Sequence, residues 1–519
     1  MNPLPALLVS SDFLPGIGDL NGRRFAANQL LRQWGEMSGN QPVTLLGPDE
    51  SNLEPYRDEL LAGGHTGSVS SISLIDPSKI AYLGALFTPD PALGLWSKWR
   101  WSLGPSSFSI IGQTHTLATK AAIDHLDSLG TDALGPWDAL ICSSTAGASV
   151  VQQLMDSRLE QLQSRFGFQI RDRSRCCPQL PVIPLSIDVS GLQSSLPERS
   201  LARKHLGLPF DAAVVLWIGR LSLLTKLDPW PQYQMLNRLA QQLDKPLYLV
   251  ELGQDDTSQQ GEHFKQIRNL CPHLNFLQLG GAEPASESQK FAALAAADVA
   301  LSLVDNVQET FGLSVAEAMS AGLPIVASNW DGYRDSVRDG VDGFLVPTRW
   351  SSSSDHASPG LGWLHRVGII PYTAFAGSLA QLLHVDMDAA LSAISLLLSD
   401  PLLRDRMGSA ASKRARDRFD RSVISSQYRL LFDELSLERI RAKQDAVGVQ
   451  ARPNCHLPAI DPVSLFRSFS SHDASPMVVN KPPSPLVQQG RRAMWDFLRL
   501  STPPTFHDEL KNDLFGKHG

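Results

Sequence analysis

Short apolar runs alternate with longer stretches whose apolar residues recur at helical spacing, and the alternation continues through most of the chain. In the first third the runs are "ALLVSSD" (6–12), "PVTLLGP" (42–48), "SISLI" (71–75), "FSIIG" (108–112) and "DALICSS" (138–144). Each is short and rich in Val, Ile and Leu, so each reads as a strand. Residues 22–37, 114–129 and 145–164 lie between them and carry the helical period. Strands that are apolar along their whole length belong in a parallel sheet covered on both faces.

The pattern breaks over "RFGFQIRDRSRCCPQLPVIPLSIDVSGLQSSLPERS", a stretch rich in Pro, Ser and charge. It restarts with "AVVLWIG" (213–219), "PLYLVEL" (246–252), "NFLQL" (275–279), "DVALSLV" (298–304), "PIVAS" (324–328) and "GFLVP" (343–347). Two doubly wound α/β domains facing a cleft are expected, at 1–188 and 200–418, joined near 185–205. There is no short internal repeat. The polar stretch "RWSSSSDHASPGLGW" (349–363) reads as a surface loop. Residues 386–436 read as two or three amphipathic helices. The remainder, 437–519, is rich in Pro and Ser and reads as a poorly ordered or surface-docked extension.

Composition narrows the classes. The 519 residues allow two or three domains, and 43% apolar with 19% charged residues describes an ordinary globular chain. A formal net charge of −7 and the lack of a basic run argue against nucleic acid as a partner. The start, "MNPLPALLVSSDF", lacks the basic region and cleavage site of a signal peptide, and "FAALAAADVALSLV" is too short to span a bilayer. Five cysteines without a CxxC pair read as reduced thiols of a cytoplasmic protein and not as a zinc site. One stretch, "VQQGRRAMWDFLRL" (487–500), has a second reading as an amphipathic helix, which would give weak association with the inner membrane surface through the extension.

Candidate chemistry gathers at strand ends, where ligands of open α/β sheets bind. "LWIGRLSLLTK" ends a strand and then presents Arg220 and Lys226, with no acid before Asp228. A fork and a point charge suit a diphosphate; two solvated surface cations are the plain alternative. "QETFGLSVAE" places Glu309 and Glu317 eight positions apart around an apolar helix start. Thr310 is the expected N-cap there, and Gly312 permits close approach of a ligand to the free amides of the first turn. Glu317 can reach back to accept hydrogen bonds from vicinal hydroxyls of a ribose, with Glu309 facing a sugar beyond the phosphates. A capping acid plus a surface glutamate is the alternative. "DFLPGIGDLNG" is not a dinucleotide fingerprint, because its third glycine comes one residue late. His115 follows a strand and by itself reads as a structural residue. Asp386 and Asp388 in "VDMDAA" imitate a metal-binding pair but open a helix, where acids serve as caps.

The segment "ETFGLSVAEAMSAGLPIVASNWDGYRDSVRDGVDGFLVP" resembles the E-x7-E segment of the family 4 retaining glycosyltransferases of the GT-B fold (glycosyl transferases group 1). "VVLWIGRLSLLTKLD" is similar to their diphosphate segment, "LPVIPLSID" to their interdomain strand and "DPLLRDRMGSAASKRARDRF" to their C-terminal helices. The resemblance covers roughly 180–435 well and the N-terminal half more loosely. It implies that Arg220 and Lys226 bind a donor diphosphate, Glu309 the donor sugar and Glu317 the ribose, with the amides of Phe311, Gly312 and Leu313 at the distal phosphate. It further implies that Gly16 and Gly18 belong to a loop closing over the phosphates, that His115 lies near the sugar, and that a helix at 419–436 crosses back to the first domain. Departures are the six-residue spacing from Arg220 to Lys226, and Ser186 and Asp335 where Gly and Glu are commoner.

The expectation is a retaining transferase that moves a hexosyl group from a nucleotide diphosphate sugar to a glycan, lipid-linked or small-molecule hydroxyl. Neither cofactor nor metal is expected. A nucleotide-sugar epimerase or hydrolase, and an idle sugar-nucleotide-binding scaffold, are the alternatives.

Overall fold

The computed structural model of the chain describes residues 3–14, 22–47, 52–72, 78–167, 169, 172, 176–307, 309–351, 354–445 and 489. Its first sheet contains β1 (Ala6–Leu8), β2 (Val43–Leu46), β3 (Val69–Ile72), β4 (Ala85–Phe87), β5 (Ser109–Gln113) and β6 (Ala139–Ile141), all parallel, in the order β3-β2-β1-β4-β5-β6. The connecting helices are α1 (Gly22–Ser38), α2 (Glu54–Ala62), α3 (Ser78–Leu83), α4 (Leu93–Arg100), α5 (Lys120–Ser128) and α6 (Thr145–Phe166). Every residue of β5 and β6 is buried, as a strand covered on both faces requires. Central strand β4 has no counterpart among the expected runs. Only three residues long, it is too short to show a period, yet it pairs with both β1 and β5.

The chain crosses to the second sheet through residues 183–188 and the short helices α7 (Val189–Ser195) and α8 (Arg199–His205). That sheet holds β7 (Ala213–Ile218), β8 (Leu247–Gln254), β9 (Asn275–Gly281), β10 (Val299–Ser302), β11 (Ile325–Ser328) and β12 (Gly343–Val346), in the order β12-β11-β10-β7-β8-β9. Each of the six expected runs forms one of these strands. Between them lie α9 (Pro229–Ala240), α10 (Ser258–Arg268), α11 (Glu287–Ala296), α12 (Leu313–Ser320) and α13 (Tyr333–Ser336). Both sheets follow the doubly wound order, so each has a crevice where the winding reverses: between β1 and β4, and between β7 and β10. Apolar side chains form a core on each face of each sheet.

Residues 349–363 are not a plain loop. Strand β13 (Thr348–Trp350) pairs antiparallel with β14 (Leu383–Val385), and the excursion between them carries α14 (Ser354–Arg366) and α15 (Tyr372–Ala380). The serine run and Pro359 gave loop signals, but Pro359 is accommodated inside α14 and His365 at its end is buried.

Helices α16 (Met387–Ser399) and α17 (Pro401–Phe419) complete the second half, and α18 (Arg421–Asp445) returns to the first. The two crossings lie side by side: Ile187 N–H donates to Phe419 O at 2.9 Å, and Arg421 N–H donates to Ile187 O at 3.0 Å. Ile424, Tyr428, Leu431 and Leu435 of α18 share a core with Trp34 and Phe87. The helix runs on to Asp445, taking in the first residues of the segment that reads as an extension.

Candidate active site

The carboxyl ends of β5 and β6 face the loop that follows β10. Thr310 Oγ1 donates to the His115 carbonyl at 3.2 Å, and Ser143 Oγ donates to the Thr310 carbonyl at 3.2 Å. Nearby, Asp335 accepts from Thr145 N–H at 2.5 Å and from Thr145 Oγ1 at 2.7 Å, at the first turn of α6. Asp335 therefore complements that helix N-terminus from the opposite half of the molecule. These bonds bring the two halves together around the crevice between β7 and β10.

Arg220 follows β7 after Gly219. Its Nη1 donates to Asp256 Oδ1 at 2.6 Å, so an acid beyond the local sequence faces it from the loop after β8. The six-residue path to Lys226 is a turn held by hydroxyls: Ser222 and Thr225 lie 2.8 Å apart, and Leu223 N–H donates to Gln260 Oε1 at 2.7 Å. Asn306 of the loop after β10 grips the Lys226 carbonyl. The turn delivers Lys226 Nζ to Glu309 Oε2 at 2.5 Å, with both side chains mostly buried.

Helix α12 begins one residue after Gly312, which takes a left-handed conformation at φ +86°. Thr310 is thus not the N-cap; its hydroxyl reaches across to His115 instead. Gly312 is also needed sterically, because a Cβ there would lie 2.2 Å from Tyr333 Cε1. Gly312 offers no side chain to cap α12, and the Val315 and Ala316 N–H groups turn back to the Gly312 carbonyl. Phe311 is buried, edge-on to Phe419 at 5.4 Å. Glu317, also buried, pairs with Lys290 of α11.

The surrounding groups are strongly perturbed. Burial pushes the Asp305 carboxyl up to about 7, while its Oδ2 accepts from Asp228 N–H at 3.0 Å. Burial, then the charge of Glu309, lifts Asp331 to about 7, and Asp331 itself has φ +43°. Two carboxyls thus stand near one another, with Glu309 ion-paired to Lys226 and Asp331 biased toward its neutral form. Tyr333 is buried, shares a 2.7 Å hydrogen bond with Ser302, and is held well above the usual phenol range by burial and by Glu309. On α15, burial raises Tyr372 to about 12, with Arg220 and Glu309 as its charged neighbours.

Residues 199–357 match the profile of "Glycosyl transferases group 1". A D-inositol 3-phosphate glycosyltransferase of a Nocardioides species is 36% identical over 157 residues, 29% of this chain and 34% of the relative. Phosphatidyl-myo-inositol mannosyltransferase of Mycobacterium leprae is 27% identical over 352 residues, 67% of this chain and 71% of the relative. The chain covers only 34% to 41% of the length of four D-inositol 3-phosphate glycosyltransferases that it matches. Among solved structures, HepE of Anabaena, determined with UDP and glucose, is 16% identical with a TM-score of 0.50, over 83% of this chain and 99% of that one. Sucrose-phosphate synthase of Thermosynechococcus elongatus is 17% identical with a TM-score of 0.50, over 84% and 99%. At these identities the likeness establishes the fold, which is GT-B-like: two parallel six-stranded Rossmann-like sheets with C-terminal helices.

Lys226 meets Glu309 at the carboxyl ends of β7 and β10, Arg220 opens the turn that leads to Lys226, Gly312 and Leu313 start α12, and Thr310 bonds the His115 carbonyl, whereas the Phe311 ring is packed into the core. Glu317 stands one helix turn behind, on Lys290. Gly16 and Gly18 lie outside the described residues. Asp386 caps α16 by accepting from Ala389 N–H at 3.0 Å, and Asp388 pairs with Arg238 at 3.3 Å. Among the described residues no cluster of three or more His, Cys, Asp or Glu could hold a metal ion, and no helix is long and apolar enough to cross a membrane. The geometry adds Asp256, Asp331 and Tyr372, which carry no local motif. Only Asp331 left a trace in the sequence, as an acid just before Gly332 where the chain must turn.

Proposed function

We propose that the protein transfers a hexosyl group from a nucleotide diphosphate sugar to a hydroxyl acceptor with retention at the anomeric carbon. The observation that carries this reading is the convergence of Arg220, Lys226, the α12 amides and Glu309 at one crevice. Cations and helix amides suit the charge that grows on a departing diphosphate. Lys226 already grips an anion, Glu309. Donor entry exchanges that anion for a phosphate and frees Glu309 to face the sugar. The bond from C1 to the diphosphate oxygen then breaks, and its electron pair leaves with the diphosphate. The acceptor oxygen bonds C1 from the same face, and its proton passes to the departing phosphate oxygen. Glu309 stabilises the positive charge at C1, and Glu317 accepts from the ribose hydroxyls.

The names of two relatives, an inositol phosphate glycosyltransferase and a phosphatidylinositol mannosyltransferase, support an inositol-type or lipid-linked hydroxyl as acceptor, and the UDP complexes of HepE support a uridine diphosphate donor. No metal has an assigned task in this scheme, so excess chelator should leave transfer intact; loss that added metal restores would return Asp386 and Asp388 to consideration. A thermal-shift screen of nucleotide sugars, followed by donor-only incubation, tests the whole reading. A ligand at a hundred times its Kd stabilises by about 2.7 kcal/mol. Slow hydrolysis of that donor supports a transferase; binding without turnover supports an idle sugar-nucleotide-binding protein.

A further inference from the structure

Asp256 belongs to no motif, yet three side chains converge on its carboxylate. Arg220 Nη1 donates to Oδ1 at 2.6 Å, while Ser222 Oγ and Gln260 Nε2 donate to Oδ2 at 2.9 and 3.1 Å. The backbone is fixed as well, because Asp256 N–H donates to Leu221 O at 3.1 Å. The loop after β8 and the turn from Arg220 to Lys226 are therefore laced into one unit. A guanidinium is a rigid plane, so Asp256 on Nη1, together with Thr225 Oγ1 accepting from Nη2 at 3.4 Å, sets the direction of the remaining N–H groups.

Resting on the donor-site reading above, we infer that Asp256 is a positioning residue that fixes the plane of the Arg220 fork for the diphosphate oxygens. Its charge opposes the bound phosphates, so its contribution lies in orientation and not in ground-state affinity. Rate and binding should accordingly part company when it is changed. Preorganised donors act most strongly where charge develops, which places the loss in kcat.

The test is a kinetic double-mutant cycle between Asp256→Asn and Arg220→Ala, with binding of inorganic pyrophosphate and UDP measured by calorimetry. Asp256→Asn should lower kcat on the order of 10-fold while pyrophosphate binds as tightly as to the parent, or more tightly. In the Arg220→Ala background the same change should leave kcat where it is, because the effect runs through the fork. A kcat untouched by Asp256→Asn, or lowered equally in both backgrounds, overturns this inference alone. A parent that binds neither pyrophosphate nor UDP overturns the donor-site reading and this inference with it.

Discussion

Lys226 holds Glu309 and Lys290 holds Glu317, so two glutamates from one short segment differ in what a ligand must displace. Ribose hydroxyls change little between ground and transition state, so Glu317→Gln should raise the donor KM with kcat nearly kept. A lost hydrogen bond to a charged group is worth about 1.5–3 kcal/mol, which sets that effect on the order of 10- to 150-fold. Glu309→Gln should instead lower kcat and bind nucleoside diphosphate as well as the parent or better, since Lys226 is no longer occupied. Steady-state kinetics of the two folded variants decide it, and a reversed pattern would exchange the two roles. Asp305 gives a pH prediction. Burial raises its carboxyl from 3.8 to about 7, so the folded state keeps a proton that the unfolded chain has lost. The resulting stabilisation is complete below about pH 4 and disappears as pH rises to about 7. Asp305→Asn stays neutral throughout, so its stability relative to the parent should climb across that window, by at most about 4 kcal/mol, and level off above it. Urea unfolding at a series of pH values reads this directly; a flat difference would place an ionised carboxylate in the native crevice. Arg220, Lys226 and the glutamates were legible in sequence because their spacing lies within single segments. Asp256 was not, because its partnership with Arg220 depends on β7 and β8 lying side by side.

At the scale of elements, the strands of the second half were legible because each is an apolar run bounded by turn residues, whereas β4 was hidden by its three-residue length. The excursion between β13 and β14 was hidden differently, by a composition that looks like a loop. It spans the cleft: His365 Nε2 meets the Ala118 carbonyl at 3.0 Å, and Arg366 pairs with Asp127 at 2.9 Å and Asp124 at 3.4 Å on α5. On its inner side Gly377 packs against Leu224, where a Cβ would stand 2.9 Å from Leu224 Cδ2. The strap therefore touches both the turn that delivers Lys226 and the first half of the molecule. Its two contacts should not be equal. Arg366 and Asp124 are about two-fifths exposed, so Arg366→Ala should change stability by no more than about 1 kcal/mol. His365 is buried and stacked on Phe375 at 4.3 Å, so His365→Ala loses packing and a hydrogen bond and should cost about 2 kcal/mol or more. Urea midpoints of the two variants check the order; equal losses would mean that the ion pairs carry the strap.

For the whole molecule, the doubly wound pattern was readable from two runs of strand and helix, but the way the halves meet was not. Their contacts join residues more than a hundred positions apart, such as Thr145 with Asp335 and Ser143 with Thr310. The helix that closes the first half was implied by the family resemblance and not by its own pattern. In sequence α18 is one amphipathic stretch among several. In the structure its Tyr428 ring stacks on Phe87 at 5.8 Å, and Arg439 Nη1 donates to Ser109 Oγ at 2.9 Å near the helix end. Among the described residues, the first-half core includes nothing beyond Leu435. Two truncations should therefore behave differently. Ending the chain at residue 450 keeps every described contact of α18 and should leave melting temperature and pyrophosphate binding close to those of the full chain. Ending it at 419 removes four buried apolar side chains from the core around Trp34 and Phe87. At roughly 1.5–3 kcal/mol for each side chain buried, that loss is comparable to the total stability of a domain of 5–15 kcal/mol. The shorter protein should then be insoluble or unfolded in its first half. Circular dichroism and calorimetry on both truncations give the answer. A 450-residue chain that fails to fold would show that the segment from 451 onward belongs to the fold, and a stable 419-residue chain would show that α18 only covers a first half already complete without it.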